Sequence, residues 1–225
     1  MLIQYFGHSA FLITLASENT ILFDPYRNFE PNWLWFANRF PLVNPDFVVI
    51  THPHFDHDEI DTLTNFPTIL RDPIQVEGDG FKILAMRDKH AKGYGAEFGA
   101  WNNVVVLEAD GLRFCHWGDN RPDPSDELFD WLGEIDVLAM PIDDNEHILD
   151  FAEVGPLLER VRPKVVLPVH YKIDGFSHEQ SSLGKIDRWL ATIDLVKQIP
   201  RSEIMLERDH LPELTEVWVF EKTFS

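Results

Sequence analysis

The chain has 225 residues, of which 44% are hydrophobic and 25% are charged, and these values are typical of a folded globular protein. Its formal net charge of −19 at pH 7 argues against nucleic acid and anionic membrane surfaces as partners, because both are bound mainly through basic residues. No apolar run approaches the roughly 18 residues that cross a bilayer, and a single cysteine, Cys115, excludes an internal disulfide. We therefore expect one cytoplasmic domain over residues 1–225, without a membrane span, and we leave its oligomeric state open.

The first third of the chain is rich in short β-prone segments. The stretches LIQYF, AFLITL and NTILFDP are separated by Gly7, His8 and the polar stretch ASEN, which predicts an antiparallel meander. Residues 28–46 follow, rich in aromatic residues, asparagine and proline, with a short helix predicted over Asn32–Asn38. We interpret this segment as a packed connection, with the alternative that it is an aromatic lid insertion whose Trp35 contacts a substrate.

Strands and helices alternate through the rest of the chain. FVVITHPH is predicted to be a buried strand, and DEIDTLTN, PSDELFDWLG and ILDFAEVGPLLERVRP are predicted to be helices. The other predicted strands are TIL, FKILAM, NVVVLEA, LRFCHW, IDVLAMPI, KVVLPVH and TEVWVF, with a polar helical stretch around 181–192. Periodicity alone supports an α/β or α+β fold and goes no further.

The stretch THPHFDH concentrates metal-binding residue types. His52 and His54 are two residues apart, so in an extended strand their side chains share one face and could bind one cation. Asp56 and His57 follow where the chain turns, which would put them beside a second ion. A mixture of imidazole and carboxylate suits zinc, iron or manganese, and the absence of cysteine argues against a purely structural zinc site.

A metal centre needs further ligands, and three residues elsewhere in the chain occupy similar positions. His90, Asp119 and His170 each come where a predicted strand ends. Each of them alone is more often a surface or capping residue than a ligand. Together, at matching strand ends, they favour a metal site.

The motifs THPHFDH, His90, HWGDN and LPVHYK, preceded by FGHSAFLI and ILFDP, resemble the metallo-β-lactamase superfamily of metal-dependent hydrolases. The GHS, DP and PVHY elements resemble the branch with ascorbate-phosphate lactonase-like proteins and N-acyl-phosphatidylethanolamine phospholipases. The resemblance implies a four-layer αββα sandwich of α/β class, with two mixed sheets face to face and helices outside. It also implies a metal centre, usually of two ions, at one edge of the sheets.

The resemblance carries over to individual residues. It implies His52, His54 and His90 as ligands of a first ion, Asp56, His57 and His170 as ligands of a second, and Asp119 as a bridge. Asp24 resembles an acid that orients a metal-bound imidazole. His8 and His116 are expected to be interior or supporting histidines, not ligands.

Two departures from the family pattern concern the pocket. The chain has Asn120 where the family commonly has threonine, and PIDDNEH where branch members often have a PIG-like stretch. Asp143, Asp144 and His147 could therefore line a different substrate pocket, with a polar helix-capping turn as the plainer interpretation.

These observations predict an enzyme. Two divalent ions, zinc before manganese or iron, would give a metal-bound hydroxide at neutral pH, and Asp56 would handle a proton. The expected reaction is hydrolysis of an ester-like bond, a lactone or a phosphodiester, in a small-molecule substrate, and Lys172, with Lys89 and Lys92, could contact a phosphate. The alternatives are a non-catalytic metal-binding regulatory module of the same fold and, less favoured, a di-iron oxidoreductase.

Overall fold

A computed structural model of the chain describes residues 1–29, 33–93, 101–145 and 148–223. Its strands form two sheets, one of six strands and one of eight. Along the chain they are β1 (Leu2–Gly7), β2 (Ala10–Thr14), β3 (Thr20–Phe23), β4 (Phe47–Val49), β5 (Thr68–Leu70), β6 (Ile74–Gly78), β7 (Phe81–Lys89), β8 (Trp101–Ala109), β9 (Leu112–His116), β10 (Val137–Pro141), β11 (Val165–Val169), β12 (Val196–Ile199), β13 (Glu203–Met205) and β14 (Glu216–Phe220). The α-helices in these residues are α1 (Asp126–Leu132), α2 (Phe151–Val161) and α3 (Asp187–Leu190), and none of them is long and apolar enough to cross a membrane.

The first sheet has the strand order β13-β1-β2-β3-β4-β5. The predicted meander is confirmed, because β1, β2 and β3 pair antiparallel. Strands β3, β4 and β5 then pair in parallel. As a result, β1, β3 and β4 all run toward the same edge of the sheet.

The second sheet has the order β12-β14-β11-β10-β9-β8-β7-β6. Strands β9, β10 and β11 pair in parallel, and β7, β8 and β9 pair antiparallel. Every residue of β10 and β11 is buried, as expected for central parallel strands that are covered on both faces. The ends of β7, β9 and β11 therefore lie at one edge of this sheet.

The two sheets pack face to face through an apolar core. Ile3, Ile13 and Ile21 come from the first sheet, and Ile83 and Phe114 from the second. The α/β sandwich of two mixed sheets is confirmed. A single domain over 1–225 stays a prediction, and this one core, which runs from Met1 to Phe220, favours it.

The described helices cover the outer face of the second sheet. Leu128 of α1, Leu157 of α2 and Trp189 of α3 belong to one cluster with the outward side chains of β10 and β11. The helix predictions for α1 and α2 are confirmed. The polar helix expected around 181–192 is only the four residues of α3.

The aromatic segment covers the outer face of the first sheet. Trp35, Phe36 and Phe40 are buried against Phe6 and Phe176. The helix predicted over Asn32–Asn38 is wrong for the described residues 33–38, which are extended or bent. The reason is tertiary: the side-chain oxygen of Asn28 accepts hydrogen bonds from the backbone N–H groups of Trp35 and Phe36, at 2.8 and 2.9 Å.

The helix predicted for DEIDTLTN is also wrong, because residues 58–65 are irregular apart from a turn at 61–62 and a bend at 65. The Glu59 backbone N–H donates to the carbonyl of Pro25, and its side chain accepts from the N–H of Asp61 at 2.8 Å. These bonds take backbone groups that a helix would use.

Three strands were not predicted: β6, β12 and β13. The pairing of Gly78 with Phe81 makes β6 and β7 a hairpin closed by the two-residue turn Asp79–Gly80. An Asp-Gly pair between two strands is a strong hairpin signal, and it was available in the sequence. The stretch IQVEG also alternates apolar and polar residues, although all of its residues except Val76 are exposed, so this signal was in the sequence as well.

Candidate metal centre

Histidine and aspartate side chains from six places in the chain meet where strands of both sheets end. His90 directly follows β7 and His170 directly follows β11, while Asp119 comes three residues after β9. The stretch from His52 to His57 follows β4, Asp24 follows β3, and His8 follows β1. Parallel strand direction brings these positions to one shared edge.

The predicted extended pair of histidines needs a correction. Strand β4 ends at Val49, so His52 and His54 lie in the connection after it and not on an extended strand. The Thr51 backbone N–H donates to Asp24 at 2.8 Å, which holds the chain away from strand pairing at this point. The two rings are still adjacent, with centroids 4.4 Å apart.

One group of four donors has ligand atoms that all lie within 4.8 Å of one another: His52, His54, His90 and Asp119. His52, His90 and Asp119 are buried, whereas His54 is half-buried. These are the residues expected for a first ion and its bridging carboxylate.

A second group of four meets the same 4.8 Å limit: His8, Asp56, His57 and His170. All four are buried, and His8 Nε2 lies 3.0 Å from Asp56 Oδ2. Sequence reasoning gave His8 only a supporting role. Its position directly after a strand, the feature shared by His90 and His170, was the signal that could have placed it in this group.

The carboxylate of Asp119 touches both groups. Its oxygens lie 3.6 Å from His52 Nε2 and 3.5 Å from His90 Nε2 in the first group. They lie 3.5 Å from His57 Nε2 and 3.4 Å from His170 Nε2 in the second. Asp119 is therefore the geometric link between the groups.

Hydrogen bonds on the far side of the rings fix their orientation. His57 Nδ1 lies 2.8 Å from Asp24 Oδ2, and His90 Nδ1 lies 2.6 Å from the Ala91 carbonyl, so both Nδ1 atoms carry the proton and donate it. His52 Nδ1 lies 3.0 Å from the Thr51 hydroxyl, which itself donates to Asp24 at 2.6 Å. Each Nε2 atom is left facing its group with a lone pair when the ring is neutral.

The donor set fits divalent metal ions. Within the described residues, the buried Nε2 atoms of His52, His57 and His90 have no hydrogen-bond partner, which is costly unless something else satisfies them. The separations of 3.4 to 3.6 Å around Asp119 are too long for good hydrogen bonds. Two donors bound tetrahedrally to one ion at about 2.0–2.1 Å lie about 3.4 Å apart, which is close to these separations.

The two carboxylates are ionised in the metal-free protein. Burial acts to raise the pKa of Asp56, but the charge of His57 and contacts with His170 and His8 outweigh it and hold that pKa well below its usual range. Burial likewise opposes ionisation of Asp119, and the charges of His170 and His57 again lower its pKa. Both groups are thus ready to bind a cation.

The histidines divide into protonated and neutral ones. Burial lowers the pKa of His170, but Asp119 and Asp56 overcome it and raise the pKa to about 10. At His57 the three carboxylates of Asp119, Asp56 and Asp24 likewise outweigh burial and raise the pKa well above its usual value. Burial dominates at His52 and His54 and lowers their pKa, and burial together with His170 lowers the pKa of His8 to about 3.

Backbone strain concentrates at this edge. Three residues of the site have positive φ without being glycine: His8 at 53°, Asp24 at 41° and His170 at 61°. Such conformations cost free energy and persist where surrounding contacts determine them. The His170 backbone N–H donates to the carbonyl of His8 at 3.2 Å, which ties two of these positions together.

The remaining predicted residues occupy supporting or more distant places. His116 Nε2 donates to the Ser9 carbonyl at 2.8 Å and its Nδ1 accepts from the Gly118 N–H, so both ring nitrogens are satisfied by the backbone. Lys172 is half-buried, and its charge acts with that of Lys185 to lower the pKa of Asp174. Lys92 pairs with Asp150.

The acidic turn after β10 falls partly outside the description. Asp143 is buried, and Asp144 pairs with Arg188 at 2.8 Å. His147 and loop residues 94–100 lie outside the described residues. A substrate pocket formed by this turn stays a prediction.

Comparison with known proteins gives consistent results. Residues 2–170 match the Beta-lactamase superfamily domain. A UPF0173 metal-dependent hydrolase of Archaeoglobus fulgidus is 28% identical over 204 residues, which cover 76% of this chain and 83% of that protein.

Solved structures share the fold. A proposed Zn-dependent hydrolase of the metallo-β-lactamase superfamily from Thermotoga maritima superposes with a TM-score of 0.75 at 24% identity, covering 97% of each chain. CmlA, a diiron β-hydroxylase from Streptomyces venezuelae, has a TM-score of 0.55 at 13% identity, covering 75% of this chain and 44% of that one. At these identities the likeness shows the fold alone.

Proposed function

The chain belongs to the Beta-lactamase superfamily domain family and is a metal-dependent hydrolase, and we propose that it cleaves an ester-like bond at a centre of two divalent ions. The superfamily membership expected from the sequence is confirmed. The likeness to the lactonase and phospholipase branch stays a prediction.

The position of Asp119 carries the proposal. Its carboxylate lies within 3.4 to 3.6 Å of histidines from both donor groups, an arrangement suited to bridging two ions. His52, His54 and His90 would hold one ion, and Asp56, His57 and His170 the other. His8 is either a further donor in the second group or a hydrogen-bond donor that orients Asp56.

Zinc is the favoured metal, with manganese or iron as alternatives, because the donors are imidazole and carboxylate without thiolate. Two such ions, when bound, would lower the pKa of water to about 7 and would polarise the oxygen of a carbonyl or phosphoryl group.

The residues of the chain have separate roles in this scheme. We assign to Asp56, whose carboxylate lies beside both His8 and His170, the role of accepting a proton from water. If His8 is not a ligand, its neutral ring would donate Nε2–H to Asp56 and orient that carboxylate. Asp24 orients His57 directly and His52 through Thr51, because it accepts hydrogen bonds from both His57 and Thr51.

Among the described donor residues, His54 is the one that solvent reaches. Pro53, His54 and Phe55 are half-buried, so His54 lies at the surface of the first group. The other seven donor residues are buried. A small substrate with a lactone or phosphodiester bond would approach the ions over this stretch.

Two alternatives remain distinguishable. A regulatory module of this fold would bind a ligand without turnover, and its ligand binding would survive metal chelation. A di-iron oxidoreductase would require iron and a reductant, and the structural likeness to the diiron enzyme CmlA concerns the fold alone.

Turnover tests the proposal. The zinc-reconstituted protein is assayed with γ-butyrolactone, bis(p-nitrophenyl) phosphate and a thioester. Two variants are assayed beside it, Asp119→Ala and the control Asp46→Ala. The carboxylate of Asp46 is exposed and, among the described contacts, bonds only Thr20. We expect hydrolysis of the lactone or the phosphodiester, with loss of at least about 100-fold in Asp119→Ala and none in the control. Equal turnover in wild type and Asp119→Ala would contradict the proposal.

A further inference from the structure

Three aromatic side chains form an open surface beside the donor groups, and we call Phe29, Trp33 and Phe55 the aromatic patch. Phe29 is 55% exposed and Trp33 is 51% exposed, while Phe55 is half-buried. The ring centroids of Trp33 and Phe55 are 5.8 Å apart, and those of Phe29 and Phe55 are 6.4 Å apart. Contiguous exposed aromatic surface of this kind commonly marks a binding site.

Trp35 connects the patch to the second donor group. It is only 3% exposed, and its ring lies 6.1 Å from Trp33 and 5.3 Å from Phe55. On its other side it lies 5.9 Å from the ring of His170 and 6.0 Å from that of His8. Phe55 itself stands between His54 and Asp56 in the chain. The patch therefore borders the half-buried stretch that carries His54.

The patch is held in place by hydrogen bonds and needs no ligand to form. The backbones of Phe29 and Trp33 form reciprocal N–H to carbonyl hydrogen bonds, both 3.1 Å long. Asn28 accepts from the backbone of Trp35 and Phe36 and donates to the Phe36 carbonyl at 2.9 Å. A site whose side chains are already positioned loses less conformational entropy when it binds a ligand.

Other aromatic residues of the same segment differ from those of the patch because they are buried. Trp35, Phe36 and Phe40 contribute to the core over the first sheet, whereas Phe29 and Trp33 leave half of their surface in water. Packing in the core therefore explains why Trp35, Phe36 and Phe40 are aromatic, but it does not explain Phe29 and Trp33. Arg27, which lines a pocket with Phe29, lies 3.7 Å from Asp61, so this charge beside the patch is paired.

From this placement we propose that the aromatic patch binds an apolar substituent of the substrate, next to the bond that is cleaved. The inference rests on the proposed hydrolase function and specifies its substrate class: an ester-like compound that carries a hydrocarbon ring or chain beside the scissile group. Trp33 and Phe29 would contact the substituent face or edge on, and Phe55 would form the side nearest the ions.

The kinetic test uses γ-butyrolactones that carry a methyl, a hexyl or a phenyl group. We expect kcat/KM to be higher for hexyl and phenyl than for methyl, mainly through KM, because apolar burial strengthens binding. Trp33→Ala and Phe29→Ala should each reduce this preference about tenfold, the equivalent of about 1.4 kcal/mol. Phe66→Ala, a change at a fully exposed phenylalanine in a different loop, is the matched control and should retain the preference.

A binding test does not depend on catalysis. The purified protein is titrated with 2-phenyltetrahydrofuran and 2-hexyltetrahydrofuran, and the Kd of each, measured by NMR, is compared with that of 2-methyltetrahydrofuran. All three compounds are ethers without an ester bond to hydrolyse. We expect tighter binding of the larger ethers, with about tenfold loss in Trp33→Ala and none in Phe66→Ala. If the protein shows this binding but hydrolyses no lactone, the apolar binding site is supported and lactone cleavage is rejected.

Several outcomes would overturn the proposal. Equal binding of all the ethers is one, and a preference that survives in both Trp33→Ala and Phe29→Ala is another. A third is a dimer, detected by sedimentation, that Trp33→Ala dissociates while the affinity for the ethers stays unchanged. That last result would make the patch an interface between copies of the chain.

Discussion

Asp24 shows how much of the site depends on residues that bind no ion. Its carboxylate accepts hydrogen bonds from the Thr51 backbone, the Thr51 hydroxyl and His57 Nδ1, and it is fully buried. The sequence predicted this acid from its position after a strand and from the family resemblance. It could not predict that one carboxylate serves both His52 and His57, because that depends on the turn at residues 50–57.

Asp24→Asn is predicted to weaken zinc affinity about 10- to 100-fold, because the amide accepts hydrogen bonds less strongly and orients His57 less firmly. Competition with a chelator of known affinity measures the change.

The matched control for this substitution is Asp46→Asn. Asp46 also bonds the backbone N–H and hydroxyl of a threonine, Thr20, but it is exposed and contacts no histidine in the described residues. Equal loss of affinity in both variants would contradict the role given to Asp24.

The protonated histidines predict proton release when metal binds. With a pKa of about 10 at His170 and a raised pKa at His57, both rings are charged at pH 7 in the metal-free protein. Metal ligation requires neutral imidazole, so zinc binding at pH 7 should release about two protons from these rings, in addition to any proton from bound water, and affinity should fall as the pH falls. Calorimetric titration with zinc in two buffers of different ionisation enthalpy measures the number, and no release at pH 7 would refute the assignment of these ligands.

At the scale of elements, strand direction brings the donors together. The sequence placed His170 directly after a strand because the buried run VVLPV ends there. It ended the strand before His90 too early, at Met86, because the last three residues of β7, Arg87 to Lys89, are polar. It misplaced the end of β4, since THPH continues without a proline or glycine until Pro53. It also predicted helices where Asn28 and Glu59 form tertiary hydrogen bonds, and single-chain periodicity carries no trace of such bonds.

The turn after β9 gives a prediction at this scale. Gly118 has φ of +57°, and a Cβ there would lie 2.3 Å from Asn102 Oδ1 and 2.8 Å from Thr51 Cβ. Gly118→Ala should therefore lower the free energy of unfolding by about 3 kcal/mol, through backbone strain and steric overlap, and should displace Asp119.

Gly111→Ala separates the two causes, because Gly111 has φ of +74° but open space around its Cβ. It should cost only about 1 kcal/mol, from strain alone. Urea unfolding of both variants, with zinc content measured alongside, checks this pair, and an equal effect of the two substitutions would show that the close approach at Gly118 is unimportant.

At the scale of the whole molecule, two sheets share one core and place six stretches of chain at one edge. The sequence indicated the sandwich through the resemblance, and composition alone left it as α/β or α+β. Which element covers each outer face depended on packing that periodicity does not encode: described helices cover the second sheet, and buried aromatic residues cover the first. The same aromatic segment supplies two residues of the aromatic patch, Phe29 and Trp33, beside the donor groups.

Metal content per chain tests the central claim most directly. Protein reconstituted with zinc, dialysed and measured by elemental analysis should hold about two ions per chain, and Asp119→Ala should hold fewer while Asp46→Ala holds about two. A folded wild-type protein with one ion or none, or an Asp119→Ala variant that retains both, would contradict a two-ion centre bridged by Asp119.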